Sequence, residues 1–470
     1  MGKVKLREIT LSLAQNYPAL FSIYLELRRL LRDYLKQTKD SINHLVLEFF
    51  HYRTKEGIPI YIRAFRSIKL HPSLLSELAN KSYDKFGFAE SQKLLCESEK
   101  IQSNLRKLVV EKQIGEPVLF FDPGYVSAIG HIALLTTFSK LEKANMVNRK
   151  QKVVLYNQAA NIEYLNSLSD FYTFIKLRNE ELEGILRRNL LPIQRMGAVE
   201  VGDQILNDYL AQNLAEKEFR KLYGIERHLL DSALILESIS RVNHPEILTA
   251  HPGNFVTFHI RSAKTSRDRS ANNAQIRDYI PAVKFLQSIG MKVVFLGHQG
   301  MPRISDFLTD MNHIWDYAHD SRKDPLIDLY LLSNAAFVVN TASGPVFVSN
   351  DFGVPILYTN QVHIGMNFDL RGYVIPHLIL SKKSGKLLSY SEMLNTSLAW
   401  NSNEELDDFV RVKNSKEDIL LGVKCIVREI QENKINNWFS SREDQKFSQN
   451  GPSMTIEPDF YSRNRQIFTQ

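Results

Sequence analysis

The chain has 470 residues, of which 44% are hydrophobic, 24% charged and 10% aromatic. That length exceeds one ordinary core and that composition excludes a mainly disordered protein, so two or three packed domains are expected. The formal charge of +7 is scattered, and no run of Lys or Arg is dense enough for a nucleic-acid arm, so no nucleic acid is expected as a partner. The excess is read as a solubility feature, with attraction to anionic lipid or to phosphate-bearing substrates as the alternatives.

Two cysteines, Cys96 and Cys425, stand far apart without a His or Cys at metal spacing. Neither a disulfide framework nor a zinc site is expected, which favours a reducing cytoplasm. The start MGKVKLREITLSL lacks a small-residue cleavage site, and no stretch reaches the roughly 18 apolar residues of a spanning helix.

Residues 1–112 read as helical. Apolar residues recur at helical spacing from Ile9 to Leu31, and a second helix pair turns at Phe86, Gly87 and Phe88. The basic face of residues 3–37 is read as solvated, or alternatively as lying on a membrane surface. From Pro117 the pattern changes. PVLFF and QKVVLYN are short apolar runs, each followed by a helical segment, GHIALLTTFSKLEKA and NIEYLNSLSDFY, which is the alternation of a parallel α/β sheet. Helices are expected to dominate 195–250.

The next segment is clearer. FVTFHI, KVVFLG, HIWDY, AAFVVN and VPILYTN are expected strands. They alternate with helices over DYIPAVKFLQSIG, closed by Gly290, over PRISDFLTDM, over PLIDLYLLSNA, capped by Asp324, and over PVFVSNDFG. Strands apolar throughout must be covered on both faces, which marks a doubly wound sheet whose ligand sits at the carboxyl ends of its strands. SGKLLSYSEML and EDILLGVKCIVREIQENKI are further helical segments. The expected division is a helical N-terminal region (1–112), a first Rossmann-like domain (113–250), a second (251–435) and a polar tail (436–470), with Ile456 to Phe460 able to pack back.

Three places carry chemistry. His259 and Arg261 leave one face at the end of FVTFHIR, where an Arg can clamp phosphate oxygens and a His can add a hydrogen bond. The loop after them adds Lys264, Arg267, Arg269 and Arg277, enough charge to hold a diphosphate without a metal. Thr341, Ser343 and Gly344 form a turn from a buried strand into a helix beginning at Pro345, a shape that presents hydroxyls and N–H groups to an anion; Ser343 reads equally as a plain N-cap. The pair Gly130-His131 opens a helix directly after the first strand of the first domain, where a His can serve as general base and a Gly lets a ligand approach. A cap-region histidine is the plainer alternative. There is no Walker lysine, GxGxxG, GxSxG or HExxH, and no Asp-X-Asp at a strand end, so neither a metal nor a bound cofactor is expected. Asp328 is read as an anchor within its helix.

The segments FHIRSAKTSRDRSANNAQIRDYIPAVKFLQSIGMKVVFLG and PLIDLYLLSNAAFVVNTASGPVFVSNDFGVPILYTN, with the Gly130-His131 turn and SGKLLSYSEML, resemble a family of bacterial glycosyltransferases linked to surface-polysaccharide synthesis. The resemblance runs from about residue 117 to 465 and is most specific in the C-terminal half. The family is similar to GT-B transferases with a fucosyltransferase-like donor domain. The resemblance implies two Rossmann-like domains facing a cleft, the first for an acceptor and the second for a nucleotide-sugar donor. It implies donor contacts for His259, Arg261, Thr341, Ser343 and Gly344, with Glu392 on an acidic position of the family and Asn273 and Tyr279 keeping its pattern. Asn360, which ends the second segment, joins the donor set. Where the family has Arg-Asn-Ala-Asp-Ile, this chain has Asn272-Asn273-Ala274-Gln275-Ile276, so roles at 272 and 275 do not carry over. The expected activity is transfer of a sugar to a glycan, lipid-linked or protein hydroxyl, in the cytoplasm or at the inner face of a membrane. A sugar-nucleotide epimerase and a catalytically degenerate scaffold are the alternatives.

Overall fold

A strand apolar along its length holds together only when helices cover both faces, and the chain builds two such sheets. The computed structural model describes residues 118–432 and 455–469, less 148–150, 188–192, 263–269, 365–370, 401–407 and shorter gaps between 195 and 249. The helices expected over 1–112 therefore lie outside the described residues, as do Lys264, Arg267 and Arg269.

The first sheet is built from β1 (Val118–Phe121), α1 (Ile129–Lys143), β2 (Gln151–Tyr156), α2 (Ile162–Asn166), β3 (Thr173–Lys176), α3 (Asn179–Arg187) and β4 (Ile193–Gln194). Its strands are parallel in the order β3-β2-β1-β4. The helix expected over NIEYLNSLSDFY shrinks to α2, capped by Asn161, whose side chain accepts from Tyr164 N at 2.8 Å. Helices do not fill 195–250. β5 (Val199–Val201) and β6 (Gln204–Leu206) form an antiparallel hairpin before α4 (Asp208–Tyr223) and α5 (Ser232–Ile239).

The second sheet comprises β7 (Phe255–His259), α6 (Ile280–Ser288), β8 (Lys292–Phe295), β9 (Ile314–Trp315), α7 (Pro325–Ser333), β10 (Phe337–Asn340), α8 (Pro345–Asp351), β11 (Ile356–Gln361) and β12 (Gly372–Pro376). All neighbours are parallel, in the order β12-β11-β10-β7-β8-β9. Gly290 has φ 77° just after α6, as a helix-ending glycine does. The Asp324 carboxylate accepts from Leu326 N at 2.8 Å and caps α7. Two expectations are corrected. PRISDFLTDM is not a helix: its apolar pair Ile304 and Leu308 is buried by a single 3-10 turn, Ile304–Asp306. The sheet also has a sixth strand, β12, beyond the five expected.

Beyond Asn360 the described residues form further regular elements. β13 (Leu378–Ser381) and β14 (Phe409–Val412) pair antiparallel around α9 (Tyr390–Leu394), and α10 (Lys416–Gln431) packs on α6. The described end of the chain packs back, as expected of Ile456 to Phe460. Ile456 bridges Val374, and α11 (Pro458–Arg463) and α12 (Arg465–Phe468) put Phe460, Ile467 and Phe468 into the core. Among the described residues no helix is long and apolar enough to cross a membrane.

Side-chain alternation along β7 decides how the two halves meet. Val256 and Phe258 enter an apolar cluster confined to the second half, with α6 and α10. Phe255 faces the other way, into a cluster that also holds Phe121, Tyr125 and Ile132 of the first half with Val338 and Tyr330 of the second. The two sheets thus share one continuous apolar seam. Polar groups lock it further. Lys140 of α1 reaches the Asp351 carboxylate at 2.6 Å and also pairs with Glu216 of α4, while Tyr164 OH donates to Asp351 at 2.5 Å and Thr136 at 3.1 Å. Burial alone would depress the Lys140 pKa, but the two carboxylates overcome it and hold the ammonium charged.

At one end of the seam the backbones of α1 and α8 meet at two glycines. A Cβ on Gly130 would lie 2.7 Å from the Gly344 Cα, and one on Gly344 would lie 2.6 Å from the Gly130 N. Neither neighbour is a side chain that can swing away. In an unconstrained helix Ala is better than Gly by about 1 kcal/mol, so Gly130→Ala is a test by sign. We expect it to destabilise by about 1–3 kcal/mol as overpacking does, read as a lowered denaturation midpoint; a raised midpoint would mean the helices do not touch here.

Candidate functional site

The face of the second sheet that looks into the seam carries Phe255 and Val338 in its core. The same alternation brings His259 and Asn340 out at the carboxyl ends of β7 and β10, where they are register partners. Adjacent strand ends therefore place two polar side chains side by side at the edge where a doubly wound sheet takes its ligand. Both are buried, at 9% and 0% exposure, and His259 Nδ1 and both ends of the Asn340 carboxamide have no hydrogen-bond partner. Burial pushes the His259 imidazole down to about 4, the Asn340 amide offsetting only part of it, so the ring is neutral at pH 7.

Thr341 ties the two strand ends together. Its N–H donates to the His259 carbonyl at 3.2 Å, and its Oγ1 accepts from Arg261 N at 3.0 Å. As an acceptor this hydroxyl positions the backbone that carries Arg261, and its own proton is left to donate. The Arg261 carbonyl in turn accepts from Ala274 N at 2.8 Å, closing the loop in which Asn273 is half-buried. Asn272, which breaks the family pattern, is buried and donates from Nδ2 to the Ala342 carbonyl at 3.3 Å. Arg277 is exposed on the following 3-10 turn, Ile276–Asp278.

Ser343 and Gly344 are half-buried ahead of α8. Gly344 occupies the N-cap position without a side-chain cap, and Pro345 opens the helix. Gly344 permits a close approach to Gly130, so both glycines serve a helix contact. His131 follows Gly130 by one residue in the first turn of α1, directly after the contact with Gly344. Its Nδ1 lies 3.2 Å from the Gly124 carbonyl and 3.2 Å from Ser127 Oγ. A carbonyl can only accept, so the bond to Gly124 puts the ring proton on Nδ1 and the lone pair on Nε2.

Two further residues of the expected donor set make hydrogen bonds within the protein. Asn360 is buried with φ 52°; its Nδ2 donates to Tyr279 OH at 2.9 Å and its Oδ1 accepts from Asn414 N at 2.8 Å. It clamps the bulged end of β11 instead of facing a donor. Glu392, given a donor contact by the resemblance, closes the capping box of α9, accepting from Ser389 N at 2.8 Å. The groups the sequence reading missed are Asn340, Ser262 and Ser127. For Asn340 there was a signal, since a lone amide ends an otherwise apolar strand.

Two Rossmann-like halves joined along a seam, with polar groups at the strand ends of one beside the first helix of the other, form a GT-B-like architecture. No family profile matches the sequence, and no curated protein matches it. The solved structures it is similar to include glycosyltransferases. Escherichia coli ADP-heptose lipopolysaccharide heptosyltransferase II is 12% identical with TM-score 0.40, over 67% of this chain and 99% of that one. A family 9 glycosyl transferase of Veillonella parvula is 11% identical with TM-score 0.39, over 66% and 97%. E. coli heptosyltransferase WaaC with ADP is 11% identical with TM-score 0.31, over 55% and 90%.

The buried neutral state of His259 has a consequence for stability. The unfolded chain takes up this proton near pH 6.5, the folded one near 4, so between those values the unfolded state binds more protons and stability falls as pH falls. We expect wild-type stability to drop by up to about 1.4 kcal/mol per pH unit for this group, with His228, also lowered to about 4, adding to the slope. His259→Asn should flatten the slope between pH 6 and 4.5. An unchanged slope would show that the imidazole is not held neutral.

Proposed function

We propose that the protein is a glycosyltransferase that moves a sugar from a nucleoside diphosphate to an acceptor hydroxyl. The observation that carries the reading is the set of polar groups at the carboxyl ends of β7 and β10, His259, Arg261 and Asn340, on a sheet whose following helix meets the helix of His131 through Gly130 and Gly344. In this reading Arg261 and the turn at Ser343 hold the donor diphosphate. His131, its Nδ1 proton fixed on the Gly124 carbonyl, takes the acceptor hydroxyl proton on Nε2. The acceptor oxygen forms a bond to the anomeric carbon, the bond from that carbon to the diphosphate oxygen breaks, and the diphosphate leaves with both electrons, its charge met by Arg261.

The finer parts of the proposal follow the resemblance: a fucosyltransferase-like donor domain, a reaction that needs no metal, and a glycan, lipid-linked or protein hydroxyl acceptor in bacterial surface-polysaccharide synthesis. A cytoplasmic site of action, with the basic N-terminal segment on the inner membrane surface, fits an acceptor carried by lipid.

A ligand that binds only the folded state stabilises it by about 2.7 kcal/mol at a concentration one hundred times its Kd. Thermal unfolding with ADP, GDP, UDP and dTDP, and with their sugar esters, should therefore show a raised midpoint for one base, lost in Arg261→Ala. No shift with any of them would reject a nucleotide-sugar enzyme and favour a binding scaffold. Once the donor is known, His131→Ala should lower kcat by about 10²- to 10⁴-fold with donor KM nearly unchanged; an unchanged kcat would remove His131 as the base.

A further inference from the structure

Around the ends of β7 and β10 the unpartnered polar atoms are uncharged, and most of them accept hydrogen bonds. The Asn272 carboxamide is oriented by its partner: Ala342 offers a carbonyl, which cannot donate, so the nitrogen faces Ala342 and Oδ1 is the unpartnered end. Asn340 leaves one acceptor and one donor without a partner, and Ser262 leaves its hydroxyl. All are at least nine-tenths buried, Asn340 at 0% exposure, Asn272 at 3% and Ser262 at 9%. Three connections hold them together. His259 and Asn340 are register partners, Asn272 bonds the residue two beyond Asn340, and Ser262 follows the Arg261 backbone that Thr341 fixes.

Unsatisfied buried polar groups oppose folding and persist where something else satisfies them. A phosphate at neutral pH offers almost no proton to donate, so the carbonyl oxygens of Asn272 and Asn340 would meet its oxygens acceptor to acceptor. A sugar hydroxyl both donates and accepts, and a vicinal pair of hydroxyls matches a carbonyl, an amide N–H and a serine hydroxyl together.

We propose that Asn272, Asn340 and Ser262 form a hydroxyl-reading subsite that takes the sugar of the donor, with the diphosphate outside it on Arg261. The assignment rests on the donor reading above and adds to it which part of the donor this pocket discriminates. These residues are specificity determinants: a polar pocket left unpaired by a ligand without the hydroxyl rejects that ligand strongly.

The test compares ADP, GDP, UDP and dTDP, each alone and as its glucose and mannose esters, by calorimetric titration of wild type, Asn340→Leu and Ser262→Ala. Wild type should bind one ester at least about tenfold more tightly than the matching diphosphate, the worth of one or two added hydrogen bonds. Asn340→Leu, which removes two unpartnered atoms at similar volume, should leave diphosphate affinity within about threefold, abolish the advantage of the ester, and keep or raise the ligand-free thermal midpoint. Ser262→Ala, a smaller change, gives the same readout should the leucine variant not fold. If diphosphate and ester bind wild type equally, or if both variants keep the ester's advantage, the subsite is overturned while the nucleotide reading stands. If wild type binds neither diphosphates nor esters, the donor reading itself fails. A fall in the ligand-free midpoint of both variants would assign the three residues to structure and would also overturn the subsite.

Discussion

The contact on which the site depends is one of backbone against backbone, where the first turn of α1 meets the start of α8 at Gly130 and Gly344. Two residues without side chains let the helices approach more closely than any Cβ allows. That closeness brings the first turn of α1, which carries His131, against Gly344 at the start of α8, four residues after Asn340 ends β10. Around the glycines, apolar side chains of both halves form one cluster, and the Lys140, Asp351 and Tyr164 network holds α1, α2 and α8 in register. Removing one partner from a buried charge pair is typically worth about 3–5 kcal/mol, so the seam is fixed at more than one point.

The polar groups near the second sheet fall into two kinds. At the end of β11, Asn360, Tyr279, Thr359, His377 and Asn414 hydrogen-bond one another and clamp a bulge. At the ends of β7 and β10, His259 Nδ1 and the Asn340 amide lie side by side, and neither makes a bond of full hydrogen-bond geometry. A buried donor or acceptor left unmade opposes folding by about 1–3 kcal/mol. The bonds left unmade at β7 and β10, like that at His377 Nδ1 beside the β11 clamp, are places that a group arriving after folding can satisfy.

Much of this was legible in the sequence because it rests on local chemistry. The apolar runs that became β7, β8, β10 and β11 announce covered strands; Asp324 before Pro325 announces α7, and Gly290 the end of α6. What escaped depends on distant partners. Gly372 has φ 143° with the Ile356 backbone packed against it, and a strand opening on such a glycine reads as loop until its neighbour is known. Ile304 and Leu308 have helical spacing, but one turn suffices to bury them. Among the site residues, His259 and Arg261 could be read from their place at a strand end. Asn360 could not, since its partner Asn414 lies 54 residues on. That the Thr341 hydroxyl holds the Arg261 backbone and that the two glycines touch each other depends on chain segments far apart in sequence.

The claim that organises this account is that the ends of β7 and β10 form the ligand site. A crystal structure of the protein with the nucleoside diphosphate or sugar ester that stabilises it tests that claim most directly. The account predicts the diphosphate within hydrogen-bond reach of the Arg261 guanidinium and the 341–344 turn, on the His131 side of the second sheet. A ligand seated at the amino ends of the strands, or away from Arg261 and His131 altogether, would contradict it.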